Sequence, residues 1–439
     1  MGIPCRYTES VELARPEPAL PPTERGKLEQ EFVDAIQPVA FKEEAPAAAA
    51  PGYRALSVFE CQCLAAGAST LANLLDQERW TPPTCPRLNQ VCHKRQTQMR
   101  DALLFYTALE ARNRQAGGAL EVYYRIAEGE ARIELVQETL TFLDEALAKT
   151  KDLVRQGIAG QQDYESVLRQ RIEFATHLVE LKLAVDTLNA ELKQLLGMSP
   201  AAGTVNCADG TMALADAENW RIRPTLEGDL PPRRLEAREA IQTALSYRPE
   251  LGLLDFVATN LDLATLPVVR ELLKSFNALL VKQPSRGQAL VLVVKLLKGT
   301  LQEEVSSARS KILSQLRERE RQVMKEVTQA VAEANARAEL AQLARQQVES
   351  RLNTVKDLEE KSRRGIVGFQ TLTEARLSWL KARGEAIVAV SKWHMALSRV
   401  RQAQGVLALE CGFGLAEESC PLPAAEAPTE VQEPETHDS

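Results

Sequence analysis

Aromatic residues are scarce, at 5% of the 439-residue sequence, and only four histidines occur, at positions 93, 177, 394 and 437. With them go most routes to catalysis: the sequence has no phosphate-cradling glycine loop, nucleophile elbow or paired metal-ligand motif. His177 and His394 fall inside helical patterns, where a satisfied packing or surface histidine is the plain reading. No enzyme activity, catalytic residue, cofactor or resident metal is expected. Long apolar runs are missing too, and none reaches the ~18 residues of a membrane-crossing helix. The opening stretch, Met1 to Pro22, has no apolar h-region and does not read as a secretory signal. Arg6 stands where a myristoylation motif carries Ser or Thr, and Cys5 could be acylated only behind an export signal. A basic domain is the last absence. The formal charge is −7, no surface is set up to displace phosphate counterions, and nucleic acid is not an expected partner. Acidic and basic residues alternate instead, as in Arg317 to Arg321 (RERER), which reads as a solvated helix face.

What the chain has in abundance is Ala, Leu, Glu, Arg and Gln, the residues of long helices. Residues 1–53, rich in Pro, Ala and Glu, read as a disordered arm. Residues 54–96 form a short cysteine-containing segment, helical from Leu56 to Gln77 and stopped by the turn cluster Trp80 to Pro86. Residues 97–200 carry a first helical hairpin. Its proline-free helix, from about Asn89 to Gln156, would be on the order of 100 Å long and needs partners along its length; Gly117-Gly118 is its one weak spot. Gly157 and Gly160 turn the chain into a second helix, Gln162 to Leu196, capped by Gly197 with Pro200 beyond.

Residues 201–238 read as a linker, and residues 239–412 carry a second hairpin. Its approach runs through Tyr247-Arg-Pro-Glu-Leu251 and an apolar run between Leu280 and Gly299 that fits a buried strand or a buried helix equally. A proline-free helix follows from Thr300 to Arg364, then a turn at Gly365 and Gly368, then a helix from Thr371 to Leu409. The thin, Ala-rich stripe of the long helix suits either a helix packed on one side only or one lining a wet channel. Trp379 and Trp393 share a helix face and read as packing residues. Residues 413–439 form an acidic, Pro-rich tail, expected to be disordered.

Eight cysteines, at 5, 61, 63, 85, 92, 207, 411 and 420, allow three readings. Separate free or buried thiols are the plainest. Cys61, Cys63, Cys85, Cys92 and His93 hold enough donors for zinc, but their spacing does not match the usual knuckles. A disulfide from the N-terminal group to Cys411 or Cys420 is the third reading and would require an oxidising compartment.

The two hairpins repeat at a constant offset of 208 residues. Arg155 falls on Arg363, Gly157 on Gly365, Ile158 on Ile366 and Gly160 on Gly368; with no gap, Gln194 falls on Gln402 and Gly197 on Gly405. Reversing between antiparallel helices in three or four residues requires positions with φ > 0, which explains the shared glycines.

Duplicated hairpins with a glycine turn and a closing LLG, here Leu188 to Gly197, resemble the outer-membrane efflux (TolC-like) family. Tyr247 to Leu251 resembles the opening of that family's second repeat, and Gly365 through Arg376 is similar to its following segment. The resemblance covers residues 97–200 and 239–410 and implies an all-α protomer of two long antiparallel hairpins. It implies three subunits forming a tunnel in the outer membrane or periplasm, working with a periplasmic adaptor and an inner-membrane pump to export small molecules or proteins. It also places Arg155, Gly157, Ile158, Gly160, Arg363, Gly365, Ile366 and Gly368 at helix-turn tips facing the adaptor. The family inserts two alternating strands in each repeat; the segments around Cys61 to Cys92 and from Pro267 to Thr300 lack that pattern, so no complete barrel is expected. The alternative is a barrel-less coiled-coil scaffold of the same descent, without channel activity.

Overall fold

The computed structural model describes residues 53–80, 90–158, 160–198, 206–207, 210–211, 221–225, 234–262, 265–266 and 304–414. The expectations for the N-terminal arm, the Leu280–Gly299 run and the acidic tail fall outside these residues. Strand β1 (Tyr53–Ser57) leads into two short helices, α1 (Val58–Gly67) and α2 (Thr70–Trp80), and then into α3 (Gln90–Arg155) and α4 (Gln161–Leu195). Three short strands follow: β2 (Asn206–Cys207), β3 (Gly210–Thr211) and β4 (Arg221–Thr225). A second series of helices completes the chain: α5 (Ala237–Tyr247), α6 (Pro249–Asn260), α7 (Glu304–Arg363), α8 (Phe369–Gln404) and α9 (Leu407–Glu410). β1 and β4 pair in parallel, Tyr53 opposite Arg221 through Ser57 opposite Thr225, and β2 pairs with β3 antiparallel. No described strand exceeds five residues, and the architecture is all-α.

Helices α3 and α4 form one antiparallel hairpin and α7 and α8 the other; α3 and α8 pack side by side between them. The long helices outrun their partners: α3 has 66 residues against 35 in α4, and α7 has 60 against 36 in α8. A helix about 100 Å long exposes its apolar stripe wherever no neighbour covers it. The short helices provide that cover. α1 buries Cys61, Ala65 and Ala66 in the same cluster as Leu120 and Tyr123 of α3. α2 and α6 enclose Leu103 and Leu104 of α3 through Leu75, Leu253 and Leu254, and α5 sits against Val323, Val327 and Val331 of α7. The valine and alanine stripe of α7 is buried on this one side.

Local chemistry sets the details. The helical pattern from Leu56 to Gln77 is two helices, with a break at Ala68 and Ser69. Ser57 starts the first with a capping box: its Oγ accepts the Glu60 N–H at 3.2 Å and its own N–H donates to Glu60 Oε2 at 2.9 Å. After the break, Asn73 Nδ2 donates to the carbonyl of Gly67 at 2.9 Å, satisfying a helix-end acceptor. Gly117, the expected weak spot, lies within an unbroken α3. A side chain there would collide with the carboxamide of Gln402, and one at Gly129 with a methyl of Val185. These glycines let neighbouring helices approach closely. Trp393 is buried in the main cluster, and Trp379 packs beside Leu135 and Leu380.

The reading of the cysteines as separate thiols is corrected. Cys63 and Cys411 form a disulfide with Cα atoms 5.1 Å apart, across 348 residues of sequence. The packing around it explains the pairing: Gln62 Nε2 donates to the carbonyl of Leu407 and to Glu410 Oε2, both at 2.7 Å, drawing α9 onto α1. Cys61 stays a thiol, and burial pushes its pKa upward. Cys85 and the side chains of Cys92 and His93 lie outside the described residues.

Candidate functional site at the paired hairpin tips

Both hairpins turn through the same hydrogen-bonded cap. Gly157 has φ +72° and Gly365 has φ +72°. The Gly157 N–H donates to Val154 O at 3.0 Å and the Ile158 N–H to Leu153 O at 2.9 Å. In the second hairpin Gly365 donates to Ser362 O and Ile366 to Lys361 O, both at 2.9 Å. This pair of bonds is the Schellman motif, which satisfies two helix-end carbonyls and requires a left-handed residue where glycine stands. Gly160 and Gly368 then open α4 and α8 from extended backbone, and the Gly160 N–H donates to Asp163 Oδ2 at 3.0 Å.

A hydrophobic residue after such a cap usually folds back on its own helix. Here it does not: Ile158 is 70% exposed and Ile366 68%. Each points outward among charged neighbours. Arg155 lies 3.8 Å from Asp152, Lys361 bonds Asp357 at 2.6 Å, and Arg364 pairs with Glu360. Pairs this exposed contribute at most about 1 kcal/mol each, so they leave the tips polar without stiffening them.

The structure brings all eight tip residues to one end of the molecule and leaves them solvent-exposed. Gln370 Nε2 of the second hairpin donates to Asp163 Oδ1 of the first at 2.9 Å. Beneath this link Phe369 packs with Leu143, Ala146 and Val167, and the ammonium of Lys149 sits 5.8 Å from its ring centre. The tips are therefore level and side by side, two exposed isoleucines set in a charged rim. His177 lies partway along α4, its Nε2 2.9 Å from Arg132, while His394 is buried and stacks on Tyr124.

At the opposite end of the hairpins lies a group the sequence did not signal as a unit. Arg248 Nη1 bonds Glu250 Oε1 and Glu326 Oε2, both at 2.7 Å. Arg319 closes the ring, bonding Glu250 at 3.1 Å and Glu326 at 2.9 Å. Burial raises the Glu250 carboxyl, but Arg248, its own backbone N–H and Arg319 outweigh that and hold it below the ordinary carboxylate range. The reading of Arg317 to Arg321 as a solvated face is thus corrected at its centre: Arg317 and Arg321 are exposed, and Arg319 is buried. The signal was in the period, because Arg319 falls seven residues after Ile312 and four before Val323, on the buried stripe of α7.

No protein-family model matches the sequence, and no curated relative does. The structure, however, is similar to that of the Campylobacter jejuni CmeC outer membrane channel. That match has 13% identity and a TM-score of 0.50 over 79% of this chain and 85% of that one. The fold is TolC-like. A membrane protein from Pseudomonas aeruginosa matches with 14% identity and a TM-score of 0.50, over 83% of this chain and 96% of that one. In this TolC-like fold the two hairpins are the repeats read at the offset of 208, and their tips are the glycine turns.

Proposed function

We propose that the chain is a TolC-like efflux component of the cell envelope, an oligomer of which forms a helical tunnel for export. Its paired tips would meet a periplasmic adaptor and, through it, an inner-membrane pump. The observation that carries this reading is the level, side-by-side pair of tips, Ile158 and Ile366 exposed at one end of two hairpins tied by Gln370 and Asp163. Two further features support it. On the outward side of α4, Ile172, Val179 and Leu183 are 54%, 68% and 68% exposed, and on α7 Leu340 and Leu343 are 50% and 60% exposed. Apolar rows along both outer helices suit lateral contact between copies of the same chain. The Cys63–Cys411 disulfide fits an oxidising envelope compartment rather than a reducing one.

A second reading, a barrel-less scaffold, is favoured by one specific length. Only nine residues separate Trp80 from Gln90, whereas each membrane-crossing strand takes about 9–11. Membrane fractionation of the native protein with protease protection distinguishes the two. Recovery in the outer membrane supports the tunnel; recovery as a soluble envelope protein replaces it with the scaffold. Light scattering at micromolar concentration is expected to give an oligomer, and a monomeric mass would sink the tunnel.

A further inference from the structure

The ion-pair ring borders a cavity of about 300 Å³ between α3, the α5–α6 junction, α7 and α8. Four arginines line it: Arg114, Arg248, Arg319 and Arg399. A guanidinium carries five N–H donors, and the ring does not use all of them. Arg319 Nε is buried without an acceptor. The bonds of Arg248 go from Nε to the carbonyl of Ala403 and from Nη1 to Glu250 and Glu326, leaving Nη2 over. Arg114 spends one nitrogen on Glu110. Gln402, whose carboxamide packs over Gly117, also lines the wall. The surplus is of donors.

We propose that this cavity binds a small oxyanion, held by the spare guanidinium donors of Arg114, Arg248 and Arg319 with Gln402. The proposal stands apart from the export reading and does not depend on it. The three carboxylates on the wall do not cancel the site. Glu250 and Glu326 are each shared by the two ring arginines, so the ring itself is neutral. Arg399 lies at the rim, where it also reaches Glu121 at 3.2 Å and Glu333 at 3.5 Å.

Glu110 is the remaining carboxyl. Burial raises it, Arg114 lowers it, Glu250 raises it, and Arg319 and Arg248 lower it, with the balance near 7. A protonated Glu110 frees Arg114 for an anion; an ionised one competes for it and repels the ligand. Binding is therefore tighter on the acidic side of neutrality.

The test is calorimetric titration of the full-length protein with sodium sulfate at constant ionic strength, sulfate having no proton to exchange in this range. Affinity is expected to rise about tenfold between pH 8 and pH 6, the limit for one coupled proton titrating near 7. Glu110→Gln should bind at both pH values with no such dependence. Arg114→Gln should weaken binding tenfold or more. Gln402→Leu, which leaves the ring intact, should also weaken it and serves if Arg114→Gln does not fold. Flotation with phosphatidylglycerol vesicles is the second arm. Binding of sulfate without vesicle capture assigns a free anion, and vesicle capture lost in Arg114→Gln assigns a lipid headgroup. Absence of both, or sulfate binding unchanged in Arg114→Gln and Gln402→Leu, overturns the proposal.

Discussion

Replacing Cys411 by alanine should destabilise the protein more than any single core truncation of comparable size. The bond it removes closes a loop of 348 residues. In the chain-entropy description, joining residues that far apart removes about 6 kcal/mol of denatured-state freedom at 298 K, while native disulfides removed from proteins cost about 2–5 kcal/mol. The denatured chain is not a random coil, so a loss of about 3–5 kcal/mol is the expected outcome. Folded-state contacts should survive, because Gln62 still reaches Leu407 and Glu410, and Asn113 still bridges Gln402 O and the Leu407 N–H. The assay is urea denaturation followed by helical circular dichroism without reductant, comparing wild type, Cys63→Ala, Cys411→Ala and the double variant. All three variants should share one midpoint, since the second cysteine adds nothing once the first is gone, and reduced wild type should join them. The reasoning fails if wild type is indifferent to reductant and peptide mapping after denaturation finds Cys63 and Cys411 both freely alkylated.

Gly365→Ala forces a side chain into φ +72°. It should cost about 1–2 kcal/mol, read as faster hydrogen exchange confined to the second tip. Gly129→Leu drives a side chain into Val185; about 1–3 kcal/mol should be lost, with partial recovery on adding Val185→Ala. Arg319→Ala leaves Glu250, only 8% exposed, short of one partner. A loss of about 3–5 kcal/mol is expected from denaturation midpoints, and it should shrink when Glu250→Gln is combined with it. Glu110 has a folded pKa raised from 4.5 to about 7. Its contribution to stability is full below 4.5 and lost as pH rises through 7, amounting to about 2–3 kcal/mol between pH 5 and pH 8. Glu110→Gln should flatten that part of the stability profile, and an unchanged slope would show that the carboxyl is ionised in the fold.

The repeat was legible because the features that define it are local. Helix period, a glycine at each left-handed cap and the closing glycines Gly197 and Gly405 are all readable along one strand of sequence. The break at Ala68 and Ser69 was not, since neither residue interrupts a helix by itself; the second helix begins there because Asn73 and the long helix α3 offer better partners. The disulfide was legible only as one of three readings, from the N-terminal cysteines to Cys411 or Cys420. Eight cysteines leave many pairings open, and only the packing of α9 on α1 selects Cys63 with Cys411. Arg319 looked solvated because its neighbours Arg317 and Arg321 are, although the seven-residue step from Ile312 carried the opposite message. The tip residues were located by sequence as a pattern, but their side-by-side placement rests on Gln370 and Asp163, which no spacing rule connects.

The length of α8 has a mechanical consequence. From Gly405, where the backbone of α8 presses against Arg248, the 36 residues of that helix extend about 54 Å before the turn at Gly365. A stiff rod of that length is a lever. A swing of about 5° at its base carries Ile366 through about 5 Å, roughly one turn of a facing helix. The base is where the buried arginines and glutamates sit, so the tilt of α8 that they set is magnified along its length at Ile366.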